Sequence, residues 1–136
     1  MFKVLIIDDD ANSTDILQIT LESYDFEVIT ALVPDQGIKY VRDHQPDAVI
    51  LDFMMPVMNG IDVCKSIRQF SQVPILVLSV IDQPNIVAKV LDSGADDYLV
   101  KPVAGNVLQA YLKKLARRNG FSFNNNYSQE TQKTNT

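Results

Sequence analysis

The stretch of sequence that decides the fold is DAVILDFMMPVMNG, residues 47–60. Its first part, residues 48–51, is an uninterrupted apolar run, which is typical of a strand that is buried on both faces. The run ends at the carboxylate of Asp52, and the loop-forming residues Pro56, Asn59 and Gly60 follow it. The segment therefore predicts a buried strand with an acidic residue at its carboxyl end.

Other apolar runs of the same kind lie on both sides of this strand in the sequence. They are rich in Val, Ile, Leu and Phe, mostly lack polar alternation, and occupy residues 2–7, 26–30, 75–78 and 97–100. The segments that separate the five runs have apolar residues at helical spacing. Because strand and helix alternate strictly, we predict an α/β chain with a five-stranded parallel sheet, doubly wound with helices on both faces.

Local residue types also predict where several helices begin and end. Asn12 or Ser13 is the expected N-cap of the first helix. Pro34 and Pro84 suit the first position of the second and fourth helices, where a missing N–H costs nothing. Gly94 is expected to follow the fourth helix in a left-handed conformation. The inward face of the first helix is expected to contain Ile16, Leu17, Ile19, Thr20, Leu21 and Tyr24.

The length and composition fit one globular domain with a short extension. The chain has 136 residues, of which 46% are hydrophobic and 21% are charged. Its apolar runs are far shorter than the roughly 20 residues that a membrane-spanning helix needs, and a single cysteine excludes an internal disulfide. We therefore expect a cytoplasmic protein without a membrane partner. We also expect a domain over residues 1–118 and a polar, disordered tail or linker over residues 119–136.

Acidic residues are concentrated in the first half of the chain. Residues 1–62 contain twelve acidic and three basic residues, whereas the net charge of the whole chain is −5. A chain with this charge is a poor non-specific ligand of nucleic acid, so we expect no direct nucleic-acid contact by this domain. The acidic half would instead suit a cation.

Polar side chains follow four of the five predicted strands. They are three carboxylates after the first strand, one carboxylate after the third, a hydroxyl after the fourth and an ammonium group after the fifth: Asp8, Asp9, Asp10, Asp52, Ser79 and Lys101. The carboxyl ends of parallel strands meet at one edge of the sheet, where ligands of such folds gather. Clustered carboxylates repel each other unless a cation neutralises them, and oxygen ligands select a hard ion such as Mg²⁺. A site of this kind suits phosphoryl chemistry.

Two motifs in the first half of the chain resemble the receiver domain of two-component response regulators. The acidic pair of that family falls on Asp8 and Asp9, in the segment VLIIDDD. The aspartate that accepts a phosphoryl group falls on Asp52, in the segment DAVILDFMMPVMNG. The resemblance extends over residues 2–118.

Two further motifs match the same family in the expected order. The segment PILVLS has its switch hydroxyl at Ser79, and GADDYLVKP has its switch aromatic residue at Tyr98 and its lysine at Lys101. The resemblance implies a flavodoxin-like (βα)5 fold and a cis peptide bond between Lys101 and Pro102.

The resemblance implies a phosphoryl-transfer mechanism. Asp52 would accept the phosphoryl group of a phosphohistidine on a partner sensor histidine kinase or phosphotransfer protein. Mg²⁺ would be held by Asp9, Asp52 and the backbone carbonyl of Met54, while Asp8 would act through water. Lys101 would neutralise charge on the phosphoryl oxygens.

The resemblance also implies a switch rather than a metabolic enzyme, one that accepts and slowly loses its own phosphoryl group. Ser79 would bind a phosphoryl oxygen, and Tyr98 would rotate from an exposed to a buried position. The output would be the face of the fourth helix, fifth strand and fifth helix, which would bind a second copy, an output domain or a target protein. Val80 stands where the family usually has a small residue, and we expect it to slow phosphoryl loss.

Two alternatives remain open at this stage. Asp8 and Asp10 after an apolar strand also fit a haloacid-dehalogenase-like aspartyl phosphatase, in which Asp8 is the nucleophile and Asp10 is the acid–base. The chain could also be an unphosphorylated pseudo-receiver scaffold.

Overall fold

The computed structural model describes residues 1–121. Residues 122–136, which form most of the predicted tail or linker, lie outside the described residues. The strands are β1 (Lys3–Ile7), β2 (Glu27–Ala31), β3 (Ala48–Asp52), β4 (Ile75–Ser79) and β5 (Asp97–Val100). The helices are α1 (Ala11–Glu22), α2 (Pro34–His44), α3 (Gly60–Arg68), α4 (Pro84–Asp92) and α5 (Gly105–Arg118). The predicted alternation of strand and helix is confirmed.

All five strands lie parallel in one sheet with the order β2-β1-β3-β4-β5. The chain first adds β2 on one side of β1 and then crosses to the other side, where β3, β4 and β5 follow in sequence. The order therefore reverses between β1 and β3, and ligands of doubly wound sheets bind beyond the carboxyl ends of the strands at such a point.

Alternate residues of the central strands face opposite layers of the core. Leu5, Ile7, Val49 and Leu51 pack with α2, α3 and α4, whereas Val4, Ile6 and Ile50 pack with α1 and α5. Both faces of β1, β3 and β4 are buried, which explains why these strands are continuous apolar runs in the sequence. The prediction of helices on both faces is confirmed.

The N-cap of the first helix lies two or three residues before the predicted one. Asp10 is its N-cap, and its carboxylate accepts hydrogen bonds from the backbone N–H groups of Asn12 at 2.9 Å and Ser13 at 3.4 Å. The expectation that Asn12 or Ser13 caps the helix is wrong, since both residues lie inside its first turn. The prediction for the buried face is also wrong in part. Ile16 and Ile19 are 66% and 70% exposed, whereas Leu21 is fully buried.

Other helix ends agree with the sequence prediction. Pro34 and Pro84 stand at the first positions of α2 and α4. Gly94, just after α4, has a φ of +117°, and a β-carbon at this position would lie 2.6 Å from Cγ of Arg68. Glycine is therefore required here both by the backbone conformation and by the close approach of Arg68. No helix within residues 1–121 is long and apolar enough to cross a membrane.

The ordered fold continues past the end of α5. Gly120 has a φ of +86° and donates to the carbonyl of Arg117 at 3.1 Å, while Phe121 donates to the carbonyl of Ala116 at 3.0 Å. This pair of bonds is a Schellman motif, which stops the helix and fixes the direction of the next residue. The ring of Phe121 then packs edge-on against Phe2, with 4.9 Å between the ring centroids.

Candidate functional site

The register of β1 and β3 brings two acidic residues together. Ile7 is paired with Leu51, so the residues that follow them, Asp8 and Asp52, lie side by side at the carboxyl edge of the sheet. This edge lies at the point where the strand order reverses. Asp9 completes the group, since one oxygen atom from each of the three carboxylates lies within 4.8 Å of the others.

The register of β4 and β5 adds the hydroxyl and the ammonium group to the same edge. Asp52 is paired with Leu78, which places Ser79 one residue further along. Ser79 is in turn paired with Val100, and Lys101 comes next. The N–H of Lys101 donates to the carbonyl of Ser79 at 2.8 Å, which holds the end of β5 against β4.

Asp8 is the most deeply buried of the three acidic residues, with 2% of its surface exposed. Burial raises the pKa of its carboxyl group, and the charges of Asp9 and Asp10 add to this effect. The backbone N–H of Asp10, which donates to Asp8 at 3.0 Å, and the charge of Lys101 act in the opposite direction. Asp8 is therefore a carboxylate whose negative charge is only partly compensated.

Asp52 is half-buried at the end of β3 and forms an ion pair with Lys101, with 3.5 Å between Oδ1 and Nζ. Burial raises the pKa of Asp52, and the charge of Asp8 raises it further. The charge and hydrogen bond of Lys101 and the backbone N–H of Met54 lower it. The burial effect outweighs these contacts, so the pKa of Asp52 is raised above its ordinary value. Three carboxylates also carry more negative charge than the single ammonium group of Lys101 balances.

The donor set fits a hard divalent cation. Three carboxylates offer oxygen atoms at one point, and the two least exposed ones, Asp8 and Asp52, both have raised pKa values. An additional positive charge would relieve the repulsion among the three carboxylates, and clustered carboxylate oxygens are ligands that Mg²⁺ accepts. Met54 lies two residues after Asp52 in the loop before α3, with its side chain exposed.

The two predicted switch residues are joined through a residue that the sequence did not indicate. The Oγ atom of Ser79 accepts a hydrogen bond from the N–H of Ile81 at 3.0 Å, and the hydroxyl of Tyr98 donates to the carbonyl of the same residue at 2.7 Å. Ser79 and Tyr98 are both buried. Ile81 acts through backbone atoms that every residue has, so its residue type gives no signal of this role.

Two other predictions are settled by local geometry. The Lys101–Pro102 peptide bond is cis, as the resemblance implied. The carboxylate of Asp10 accepts from the first turn of α1 and is exposed, outside the cluster of Asp8, Asp9 and Asp52. Its position does not favour the phosphatase alternative, in which Asp10 would act as the acid–base.

Comparison with known proteins agrees with this geometry. Residues 4–113 match the family model described as the response regulator receiver domain. The chain is 39% identical over 118 residues to the transcriptional regulatory protein AfsQ1 of Streptomyces coelicolor, which covers 87% of this chain and 52% of that protein. It is 42% identical over 119 residues to the DNA-binding response regulator MtrA of Mycobacterium tuberculosis, with 86% and 51% covered. The chain thus spans about half the length of these relatives.

A solved structure gives the same result for the fold. The structure of a two-component response regulator from Clostridium difficile superposes with a TM-score of 0.83 and 30% sequence identity, covering 87% of this chain and 98% of that one. The fold of five parallel strands and five helices is thus shared with a protein of known class. The chain belongs to the family of response regulator receiver domains.

Proposed function

We propose that the protein is a phosphorylation-activated signalling switch in which Asp52 accepts a phosphoryl group from the phosphohistidine of a sensor histidine kinase or a phosphotransfer protein. The observation that carries this proposal is the meeting of Asp8, Asp9, Asp52 and Lys101 at one edge of the sheet. An oxygen of Asp52 bonds to phosphorus while the bond from phosphorus to the histidine nitrogen breaks, and the nitrogen keeps the electron pair. The product is an acyl phosphate on Asp52.

The charged groups around Asp52 have separate roles in this proposal. Asp9, Asp52 and the backbone carbonyl of Met54 would hold Mg²⁺, and Asp8 would act through a water molecule. When bound, the ion supplies positive charge that stabilises the transferring phosphoryl group. Lys101, whose ammonium group is already 3.5 Å from Asp52, neutralises a phosphoryl oxygen and helps to keep Asp52 ionised before transfer.

The response to phosphorylation passes through Ser79, Ile81 and Tyr98. The Oγ atom of Ser79 accepts a hydrogen bond from the N–H of Ile81, and the hydroxyl proton of Ser79 is the one donated to a phosphoryl oxygen. Movement of Ser79 toward the phosphoryl group moves Ile81, to which the Tyr98 hydroxyl is bonded. Tyr98 lies on the edge strand β5, between α4 and α5. A second copy, an output domain or a target protein would bind this face.

In this proposal the protein is a switch that slowly loses its own phosphoryl group, not a metabolic enzyme. Its proposed location is the cytoplasm. This compartment is reducing, so a cysteine is expected to remain a thiol there, as the buried Cys64 does.

The test is the intact mass of the protein after incubation with Mg²⁺ and acetyl phosphate, a small acyl phosphate that needs no partner protein. We expect the wild type to gain one phosphoryl group and Asp52→Asn to gain none. Asp10→Asn is the matched control, because it changes a neighbouring acidic residue that can still cap α1. Equal gain by Asp52→Asn, or no gain by the wild type, would exclude Asp52 as the acceptor. Phosphorylation at Asp8 instead would indicate the phosphatase mechanism.

A further inference from the structure

The two ends of α4 are packed into the core to different extents. Within α4, all of which the structure describes, Val90 is the single buried residue, and it lies near the carboxyl end. Ile86 and Val87, nearer the amino end, are only half-buried. The neighbouring helices α3 and α5 each contain four buried residues. Core packing therefore holds α4 mainly at its carboxyl end.

Hydrogen bonds also fix the carboxyl end of α4. The N–H groups of Gly94 and Ala95 donate to the carbonyls of Leu91 at 3.1 Å and Val90 at 3.4 Å. This pair of bonds, with a φ of +117° at Gly94, forms a Schellman motif. The hydroxyl of Ser93 donates to the carbonyl of Val90 at 2.6 Å. The chain therefore leaves the helix in a fixed direction.

Arg68 connects this end of α4 to the rest of the fold. Its Nε atom donates to the carbonyl of Gly94 at 2.9 Å, and its Nη2 atom pairs with Asp96 at 3.0 Å. Its Nη1 atom donates to the carbonyls of Ser71 at 3.2 Å and Val73 at 2.7 Å. Because Arg68 is the last residue of α3, it ties α4 to α3 and to the segment before β4. The carboxyl end of α4 cannot move without changing several of these bonds.

The amino end of α4 has no comparable anchor in the part of the chain that the structure describes. Its N-cap residue, Gln83, forms no side-chain hydrogen bond to the first turn, and residues 82–85 are exposed. Gln83 lies two residues after Ile81, which is bonded to Ser79 and Tyr98. A movement of the Ile81 segment therefore reaches α4 at its less firmly held end.

We propose that α4 turns about its carboxyl end, which Arg68 holds, when Asp52 becomes phosphorylated. The trigger rests on the proposed function, in which Ser79 moves toward the phosphoryl group and takes Ile81 with it. α4 has nine residues and so is about 13 Å long, and a movement of about 1 Å at its amino end tilts its axis by about 4°. The displacement decreases toward Gly94. The amino half of α4 is therefore the part of this helix whose position reports phosphorylation to a partner.

The first measurement uses the full chain with Mg²⁺ and an excess of acetyl phosphate, and its intact mass shows whether one phosphoryl group is present. Residual dipolar couplings of the backbone amides give the direction of α4 relative to the sheet in both states. We expect a tilt of about 4° or more, while hydrogen exchange at the amides of Gly94 and Ala95 changes by less than about twofold.

The outcomes of this measurement separate the pivot from the proposed function. A phosphorylated protein in which α4 keeps its direction, or in which exchange at Gly94 and Ala95 also changes, would overturn the pivot alone. A protein that gains no phosphoryl group would overturn the proposed function and the pivot with it.

Arg68→Lys tests whether Arg68 is the fixed point, since an ammonium group keeps the charge but cannot reproduce the planar fork of the guanidinium group. In this variant we expect phosphorylation to speed exchange at Gly94 and Ala95 by about fivefold or more, because the carboxyl end can then move. Lys65→Ala, which removes an exposed cation from the same helix, should behave like the wild type. If Arg68→Lys sped exchange by the same factor with and without the phosphoryl group, Arg68 would serve stability only and would not be the pivot.

Discussion

The hydroxyl of Tyr98 donates a 2.7 Å hydrogen bond to the backbone carbonyl of Ile81, in the segment between β4 and α4. The N–H of the same residue donates to Ser79 Oγ at 3.0 Å. The two side chains with a predicted switch role are thus linked by one peptide segment, which cannot move relative to Ser79 without changing its contact with Tyr98. The buried position of Tyr98 depends in part on this bond.

Replacing Tyr98 with Phe removes the hydroxyl and keeps the ring. We expect the free energy of unfolding to fall by about 0.5–1.5 kcal/mol, the usual net value of one hydrogen bond, and the aromatic ring to be less firmly held. Urea denaturation measures the first effect, and the flip rate of the ring in NMR spectra measures the second. Tyr40→Phe on α2 is the control, since its ring stacks on His44 whether or not the hydroxyl is present. Equal stability of the wild type and Tyr98→Phe would contradict a role for this bond.

The strands, and the carboxyl edge of the sheet at which the site lies, were predictable because the residue types themselves indicate them. A strand buried on both faces, such as β3, must be apolar up to its end, and its charged last residue, Asp52, marks that end. The parallel arrangement then places Lys101 near Asp52 although 49 positions separate them in the sequence. These predictions needed no knowledge of side-chain contacts.

Other features could not be predicted because several residues meet the same local requirement. Asp10, Asn12 and Ser13 are all good N-cap residues, and the choice of Asp10 depends on where the chain turns after Asp8. Ile16 is apolar but exposed, because the rotation of α1 about its axis is set by packing rather than by residue type. Ile81 contributes only backbone atoms to the link between Ser79 and Tyr98, so its residue type gives no sign of this role.

Replacing Asp8 with Asn should stabilise the protein near neutral pH in the absence of divalent cations. The pKa of Asp8 is raised by burial above its ordinary value of 3.8, so the folded state retains a proton that the unfolded state loses. The stability of the wild type therefore falls as the pH rises through the raised pKa, whereas Asn cannot ionise.

Urea denaturation from about pH 4 to about pH 8 in the presence of a chelator measures this difference. The stability gain of Asp8→Asn should be largest at the high end and should shrink as the pH falls toward the ordinary carboxyl pKa. Asp43→Asn, which changes an exposed acidic residue on α2, is the control. A gain that is the same at every pH, or that grows as the pH falls, would be incompatible with a raised Asp8 pKa.

Magnesium should stabilise the folded protein because the acidic cluster would bind it only when Asp8, Asp9 and Asp52 are assembled. A ligand at about 100 times its dissociation constant adds about 2.7 kcal/mol to the free energy of unfolding. Thermal unfolding in a magnesium titration measures the gain, and Asp9→Ala should lose most of it. Asp10→Ser changes an adjacent acidic residue and keeps a good helix cap, so it should retain the gain. Equal stabilisation of Asp9→Ala and the wild type would place the ion elsewhere.

Val80 should lengthen the life of the phosphorylated protein. It follows Ser79 directly, is 68% exposed, and lines an apolar groove with Pro102 and with Lys101, which pairs with the proposed acceptor Asp52. A bulky side chain there limits the access of water to the acyl phosphate. We expect Val80→Ala to shorten the half-life several-fold, as measured by intact mass after the phosphoryl donor is removed. Val107→Ala, an exposed valine on α5, is the control, and a half-life that hardly changes in Val80→Ala would count against this role.

Arg68, the last residue of α3, joins three segments at the end of the sheet away from the acidic cluster. Its side chain is 16% exposed and forms an ion pair of 3.0 Å with Asp96. It also donates to the backbone carbonyls of Gly94 at 2.9 Å, Ser71 at 3.2 Å and Val73 at 2.7 Å. The same Asp96 oxygen accepts the N–H of the first residue of β4, so one guanidinium group fixes the start of both β4 and β5.

Replacing Arg68 with Ala should destabilise the protein by about 2–4 kcal/mol, because three carbonyls and a carboxylate lose a shared, mostly buried donor. Arg68→Lys should recover little of this loss, since an ammonium group cannot reproduce the planar fork of the guanidinium group. Urea denaturation measures both, with Lys65→Ala on an exposed part of α3 as the control. If Arg68→Lys matched the wild type, charge alone would hold the segments together. If the free energy of unfolding fell equally in the two Arg68 variants, the geometry of the hydrogen bonds would be the source of the stability, as we expect.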